Sequence, residues 1–262
     1  MSEQENFIHQ MIVSLRTQLL VMGASTEIAV DNMRNAIMKM DAPTAQAVID
    51  GDDAIDLLEN QIDSSSLSIL ARTQPVAGDL RFVVATLRIV VDMERIGDEA
   101  STVCGHIILM KGTSASELLD LLQDHLDNGL QAFRKSLRIL REGDAEGALE
   151  MHQSYDDAEQ SEVAIIQKLI ERVHNPGSGA PLDTVFVMHM ILIVHSSPAS
   201  GAALLISRGT AILPTGAIPS STWRPMSTRK SCISDLLHER RQKSSPFHPE
   251  RTAFLLLWIR KN

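Results

Sequence analysis

Apolar residues recur at helical spacing from Phe7 through Ile8, Met11, Ile12, Leu15, Leu19 and Met22 to Met33, Ile37 and Met40, which predicts one long amphipathic helix. Asp41-Ala42-Pro43 then reads as a helix start, with a side-chain capping acceptor followed by proline in the first turn, and helix 2 continues to about Ala71. Arg72-Thr73-Gln74-Pro75 is a turn. Helix 3 follows from about Val76 to Lys111 and stops at Gly112-Thr113-Ser114, a glycine C-terminal signal. Three long helices joined by short turns make one antiparallel bundle over residues 1–113.

The pattern recurs. Glu117 to Arg141 is a fourth amphipathic helix, Gly143-Asp144 a break, Ala145 to about His174 a fifth, and a sixth begins near Leu182 after the Asn175-Pro176-Gly177 loop. At an offset of about 103 residues Asp41 matches Asp144, Ala45 matches Ala148 and Asp56 matches Glu159; Asp79 and Phe82 match Asp183 and Phe186 one residue later. The expected architecture is all-α: two tandem antiparallel three-helix bundles, the second covering residues 114–194 and incomplete. Composition agrees, because aromatics are only 3% while Met, Ala, Leu and Ile abound.

From His195 the register is lost. Residues 195–262 hold six of the ten prolines and both tryptophans, and carry a net charge of +7 against −16 for residues 1–194. One reading is a basic, poorly ordered tail. The preferred one is an aberrant, frameshifted segment, because in the repeat Glu94 falls on Pro198 and Asp98 on Ala202, so helix 6 ends where its own acidic motif belongs. The coding DNA decides between them: a one-base shift after the Val194 codon should restore a helical acidic continuation.

The acidic charge of the first 194 residues argues against nucleic acid and for cations or basic partner surfaces. The polar start Met1-Ser2-Glu3-Gln4-Glu5 is unlike a signal peptide, and the longest apolar run, Val185 to Val194, is too short to span a bilayer. A cytoplasmic protein is expected, meeting membranes only peripherally. Cys104 and Cys232 match no metal spacing and read as buried or incidental thiols.

The candidate chemistry lies in carboxylates. Asp52 and Asp56 are four apart on helix 2, and Glu94 and Asp98 four apart on helix 3, so each pair shares a helix face. Helix 3 is expected to bury Leu80, Val83, Val84, Leu87, Val90 and Val91, a stripe that leads on to Glu94 and Asp98. On helix 2, Val48, Ile55 and Ile62 define a stripe that also holds Asp52 and Glu59, with Asp56 beside it. Counted from the turn at Gln74, the two pairs lie level within about 3 Å at 1.5 Å rise per residue. Carboxylates brought together need a cation, basic neighbours or protons. Oxygen donors without His or Cys favour Mg²⁺, Mn²⁺, Ca²⁺ or iron over structural zinc. The competing reading is a solvated groove, or pairing with Arg81, Arg88 and Arg95. Gly97, within the acidic motif, is read as a point of close approach or a packing glycine.

Glu94-Arg95-Ile96-Gly97-Asp98, preceded by Gln74-Pro75-Val76-Ala77-Gly78-Asp79-Leu80-Arg81 and by Asp50-Gly51-Asp52-Asp53-Ala54-Ile55-Asp56, closely resembles the first repeat of the PhoU family, and the likeness extends over about residues 5–194. The resemblance implies two three-helix bundles with E/D-xxx-D motifs that bind multinuclear metal clusters. It also implies a homodimeric negative regulator of phosphate uptake and of the phosphate regulon, acting with the Pst transporter ATPase and a sensor histidine kinase. By position, Asp52, Asp56, Glu94 and Asp98 take the metal-binding places. In the second repeat Tyr155 stands where the first acid belongs, Glu159 keeps the second, and the helix 3 equivalent is missing, so Glu59 and Glu159 are weaker candidates.

Two other functions compete. A ferritin-like di-metal oxidoreductase wants Glu-x-x-His on two helices, and Glu171 with His174 is the one such spacing near a bundle. A metal-free helical scaffold is the third reading. His9, His106, His125, His152 and His189 lack partners at useful spacing, and no nucleophile–base set or phosphate-cradling glycine loop appears, so catalysis is not expected.

Overall fold

A computed structural model describes residues 3–110, 116–144, 147, 150, 155–174 and 184–196. Among these, the regular elements are α1 (Glu3–Lys39), α2 (Ala42–Thr73), α3 (Ala77–Leu109), α4 (Ser116–Glu142), α5 (Tyr155–His174) and α6 (Thr184–His195). The chain is all-α, and all six helices fall within one compact unit, Met1–Gly216. Helices α1, α2 and α3 pack on one another as the first bundle, and α4, α5 and α6 begin the second. The second is attached along two seams, α1 against α4 and α3 against α6. The tail beyond residue 196, with Cys232, lies outside the described residues.

The core follows the helical period. On α1, Leu15, Leu19, Met22, Val30, Met33 and Ile37 are fully buried, and on α4 Leu122, Leu126, Leu130 and Phe133 are buried. Between α1 and α2 the chain turns through Met40 at φ 49°, and between α2 and α3 through Gln74 at φ 48° and ψ 59°, a left-handed helix cap on a residue that is not glycine. Asp41 stands at the cap of α2 with extended backbone and Pro43 follows in the first turn, as expected, but its carboxylate does not cap the helix. It accepts instead from the Thr44 hydroxyl at 2.6 Å.

The core stripe of α3 differs from expectation. Val83 and Val90 are buried, but Leu80, Val84 and Val91 are 41%, 38% and 45% exposed. The core face is Val83, Thr86, Ile89, Val90, Met93, Ile96, Ala100, Val103 and Ile107. Leu80, Val84 and Val91 form a neighbouring stripe, and it is this outer one that Glu94 and Asp98 continue. In a helix buried on two sides, against α1 and α2, the apolar arc is too wide for composition alone to mark its centre.

Candidate metal centre

The buried positions of α2 are Ala45, Val48, Ile55, Ile62, Ser66, Ile69 and Thr73. They step by three, seven, seven, four, three and four residues, and Asp52 and Glu59 fill the two long steps of the heptad. Two carboxylates therefore stand at places where the helix packing would otherwise take an apolar knob. Asp56 and Asp63 lie one helical step beside them. Across the seam, α3 supplies Glu94 and Asp98 from its outer stripe.

These elements bring Asp52, Asp56 and Asp98 together, with one carboxylate oxygen of each lying within 4.8 Å of the other two. Two oxygens on opposite sides of a cation with bonds of about 2.0–2.6 Å stand about 4–5 Å apart, so one ion can reach all three. Asp52 and Asp56 are half-buried and Asp98 is exposed, which opens the trio to solvent along the edge of the seam. Asp56 Oδ1 is shielded from solvent and receives no protein hydrogen bond. A shielded, unpartnered carboxylate oxygen is costly unless a cation or proton meets it.

The electrostatics carry the same strain. Burial, and then the Asp98 charge, hold the Asp52 carboxyl above the usual range, with Asp56 and Asp53 adding to it; a hydrogen bond with Ser101 of α3 works the other way. Glu94 is pushed up to about 7, first by burial and then by Asp98, with Glu59 and Asp56 also contributing, and it shares a hydrogen bond with Asp98. Glu94 thus flanks the trio. Glu59 is raised by burial and by Asp63, Asp56 and Asp98. Arg95 turns to Glu99 at 3.3 Å. Gly97 resolves as a point of close approach, since a Cβ there would stand 3.0 Å from Ile55 Cδ1 and 3.3 Å from Asp52 Oδ1.

Of the remaining candidates, Glu159 lies on α5, its side chain outside the described residues along with those of Tyr155 and His174. Cys104 is buried, and burial pushes its thiol up to about 12, so it is inert at neutral pH. Two of the five histidines singled out, His106 and His189, meet in space though not at a local spacing. His106 Nδ1 of α3 and His189 Nδ1 of α6 lie 3.0 Å apart, and His195 Nδ1 lies 2.9 Å from Glu162 Oε1. The partners sit 83 and 33 residues away, so no local pattern could announce them.

Asp92, 4% exposed, is a buried acid on α3 that the reading from sequence passed over. Its signal was available once the core face was set one step round from the outer stripe. No described helix is long and apolar enough to cross a membrane.

Residues 19–107 match the family model of the PhoU domain, which takes in α2, nearly all of α3 and most of α1. The phosphate-specific transport system accessory protein PhoU homolog of Pseudomonas aeruginosa is 44% identical over 94 residues, covering 36% of this chain and 39% of that protein. The Escherichia coli protein of the same description, PhoU, is 27% identical over 157 residues, covering 60% of this chain and 65% of its own length. The chain thus spans between about two fifths and just under two thirds of these curated relatives. The crystal structure of PhoU from Pseudomonas aeruginosa superposes with a TM-score of 0.72 at 26% identity, over 78% of this chain and 97% of that one. PhoU relatives in sequence and a PhoU neighbour in structure agree, so residues 19–107 carry a PhoU domain match and the chain is similar to PhoU proteins.

Proposed function

We propose that this chain is a non-enzymatic, cytoplasmic regulator of phosphate homeostasis that lowers phosphate uptake and phosphate-regulon signalling, with a metal ion held by Asp52, Asp56 and Asp98 and flanked by Glu94. The observation that carries the reading is the convergence of three carboxylates inside the segment that matches the PhoU domain. An all-carboxylate set suits a hard cation such as Mg²⁺, Mn²⁺, Ca²⁺ or iron, which would neutralise the cluster and cross-link α2 to α3 at the edge of the bundle. The metal's role is structural and regulatory: it offsets the burial and the repulsion from Asp98 that raise Glu94, and fixes the surface the two helices present.

The relatives bear the description of accessory proteins of the phosphate-specific transport system. That description supports an association with the phosphate-specific transport system, and the proposed partners, from the resemblance of the acidic motifs to the PhoU family, are its transporter ATPase and a phosphate-sensing histidine kinase, met by a homodimer. The test is a pull-down of the full chain, metal-loaded, against each partner from the source organism. Binding at micromolar concentration to either supports the reading; binding to neither contradicts it. The ferritin-like alternative is disfavoured because the converging trio is made of aspartates alone, with no histidine.

A further inference from the structure

A second polar site lies away from the carboxylates, where α4 crosses α1. A groove of about 800 Å³ is lined on its α4 side by Arg134, Lys135, Arg138 and Arg141. The first 194 residues hold 14 lysines and arginines, so four within eight consecutive positions is a strong local concentration in a strongly acidic part of the chain. Glu27 is the one acid among the described lining residues. It is already engaged, because Arg134 donates to Glu27 at 2.7 Å and to Asp31 at 3.2 Å. That pairing holds Arg134 in place. Lys135 and Arg141 make exposed surface pairs, with Glu150 at 3.6 Å and the neighbouring Glu142 at 3.0 Å, of a kind that exchanges readily with solvent ions. Arg138 is exposed and makes no ion pair among the described residues.

The floor is of a different character. Leu20 and Ala24 of α1 and Ala132 and Leu137 of α4 supply its apolar lining, and the amide-bearing residues Asn128 and Gln131 stand toward the end of the groove away from Arg141. From Arg134 to Arg141 the bases extend along about 10 Å of helix. That exceeds what one orthophosphate can touch and suits a short chain of phosphates, which arginine forks bind well. An apolar floor at Leu20 and Leu137 beside the basic rim suits a flat ring system attached to the phosphates, and the volume falls within the ordinary range of small-molecule sites.

The geometry points to this groove as a binding site for a nucleoside polyphosphate, with the phosphates along Lys135, Arg138 and Arg141 and the base over Leu20 and Leu137. The site is separate from the α2–α3 carboxylates and stands independently of the metal reading.

The test is calorimetric titration of the full chain in EDTA, so that metal carried by the acidic cluster cannot contribute, with ATP, adenosine, tripolyphosphate and inorganic phosphate as separate ligands. ATP should bind with micromolar to low-millimolar affinity, and at least about tenfold more tightly than either adenosine or tripolyphosphate. The double variant Arg138→Glu/Arg141→Glu should weaken ATP at least about tenfold, while its thermal melt stays that of the parent because neither residue holds helices together. Absence of ATP binding at millimolar concentration, equal binding of ATP and tripolyphosphate, or unchanged ATP affinity in the double variant each overturns the assignment. Leu137→Lys, which charges the floor and leaves the arginines, should discriminate against ATP and spare tripolyphosphate; the opposite pattern also overturns it.

Discussion

Gly97 of α3 faces the Asp52 carboxylate of α2 across a gap that one methyl group would crowd: a Cβ at residue 97 would stand 3.3 Å from Asp52 Oδ1. The glycine sets how closely the two acidic helix edges meet. Gly51, only one residue from Asp52 in sequence, has nothing within 4 Å of its own Cβ position. The two glycines therefore respond differently to alanine. Gly51→Ala should stabilise the protein by about 0.5–1 kcal/mol, the usual gain of alanine over glycine in a helix. Gly97→Ala should forfeit that gain and displace Asp52, weakening cation affinity about tenfold. Urea unfolding and a metal titration of both variants check this. A Gly97→Ala protein with raised stability and undiminished affinity would rule it out.

The seam between the bundles at α1 and α4 is fastened by charge. Arg34 of α1 pairs with Asp127 of α4, and both are partly exposed, 24% and 31%. The Arg34 hydrogen bond draws the Asp127 carboxyl below its usual range, and the same bond raises Arg34. A carboxyl held low in the folded state adds stability above the unfolded value of about 3.8 and loses it as pH falls through the lower, folded value. A double-mutant cycle with Arg34→Gln and Asp127→Asn should give a coupling of about 0.5–1 kcal/mol at neutral pH that shrinks in high salt. A coupling of zero at low salt would show the pair to be incidental.

The seam between α3 and α6 is sensitive to acid. Burial, and then the facing His189, hold the His106 imidazole below its usual value of 6.5. At His106 the folded protein then binds fewer protons than the unfolded chain just below that value, so this residue's contribution to stability falls as pH drops from about 6.5, opposed by Glu94, whose raised carboxyl favours the folded state as pH falls through about 7. His106→Phe should flatten the slope, leaving a residue from His125, which burial also holds low. Urea midpoints between pH 5 and 8 measure it; an unchanged slope in the variant would assign the acid sensitivity elsewhere.

Packing supplies the stability that these polar features modulate. Ile62 and Ile96 are fully buried in the α2–α3 part of the core, so Ile62→Ala or Ile96→Ala should cost about 2–5 kcal/mol. Leu57→Ala, on a residue 58% exposed on α2, should change stability by less than about 0.5 kcal/mol.

Much of this arrangement is legible in the residues. The helix ends at Lys39 and Thr73 and the start at Ala42 follow from proline and the loss of period, and the heptad of α2 places Asp52 and Glu59 on its packed seam. The similar distance of the two acid pairs from Gln74, their centres 20 residues before it and 22 after, is what lets a hairpin bring Asp98 to Asp52 and Asp56. The rotation of α3 was harder to read. Its outer face carries Leu80, Val84 and Val91, as apolar as its core, so hydrophobicity alone could not say which stripe is inside. The consequence matters for the site, because it puts Asp98 at a solvent-facing edge and makes the centre accessible. Asp41 looked like a capping side chain because type and position matched, yet a nearby Thr44 hydroxyl competed for its carboxylate. The His106–His189 pair depends on α3 meeting α6, a contact between bundles that no periodicity encodes.

The most direct test is metal content. The full chain is loaded with Mn²⁺ or Fe²⁺ at pH 8, desalted, and analysed for metal per chain beside the triple variant Asp52→Asn/Asp56→Asn/Asp98→Asn, with helical content and melting followed for both. The trio of carboxylates within 4.8 Å predicts at least one retained ion in the parent. The variant should retain none while remaining folded and, without metal, being at least as stable, because the like charges are gone. Equal metal content in the two proteins, or no retained metal in the parent, would contradict the account.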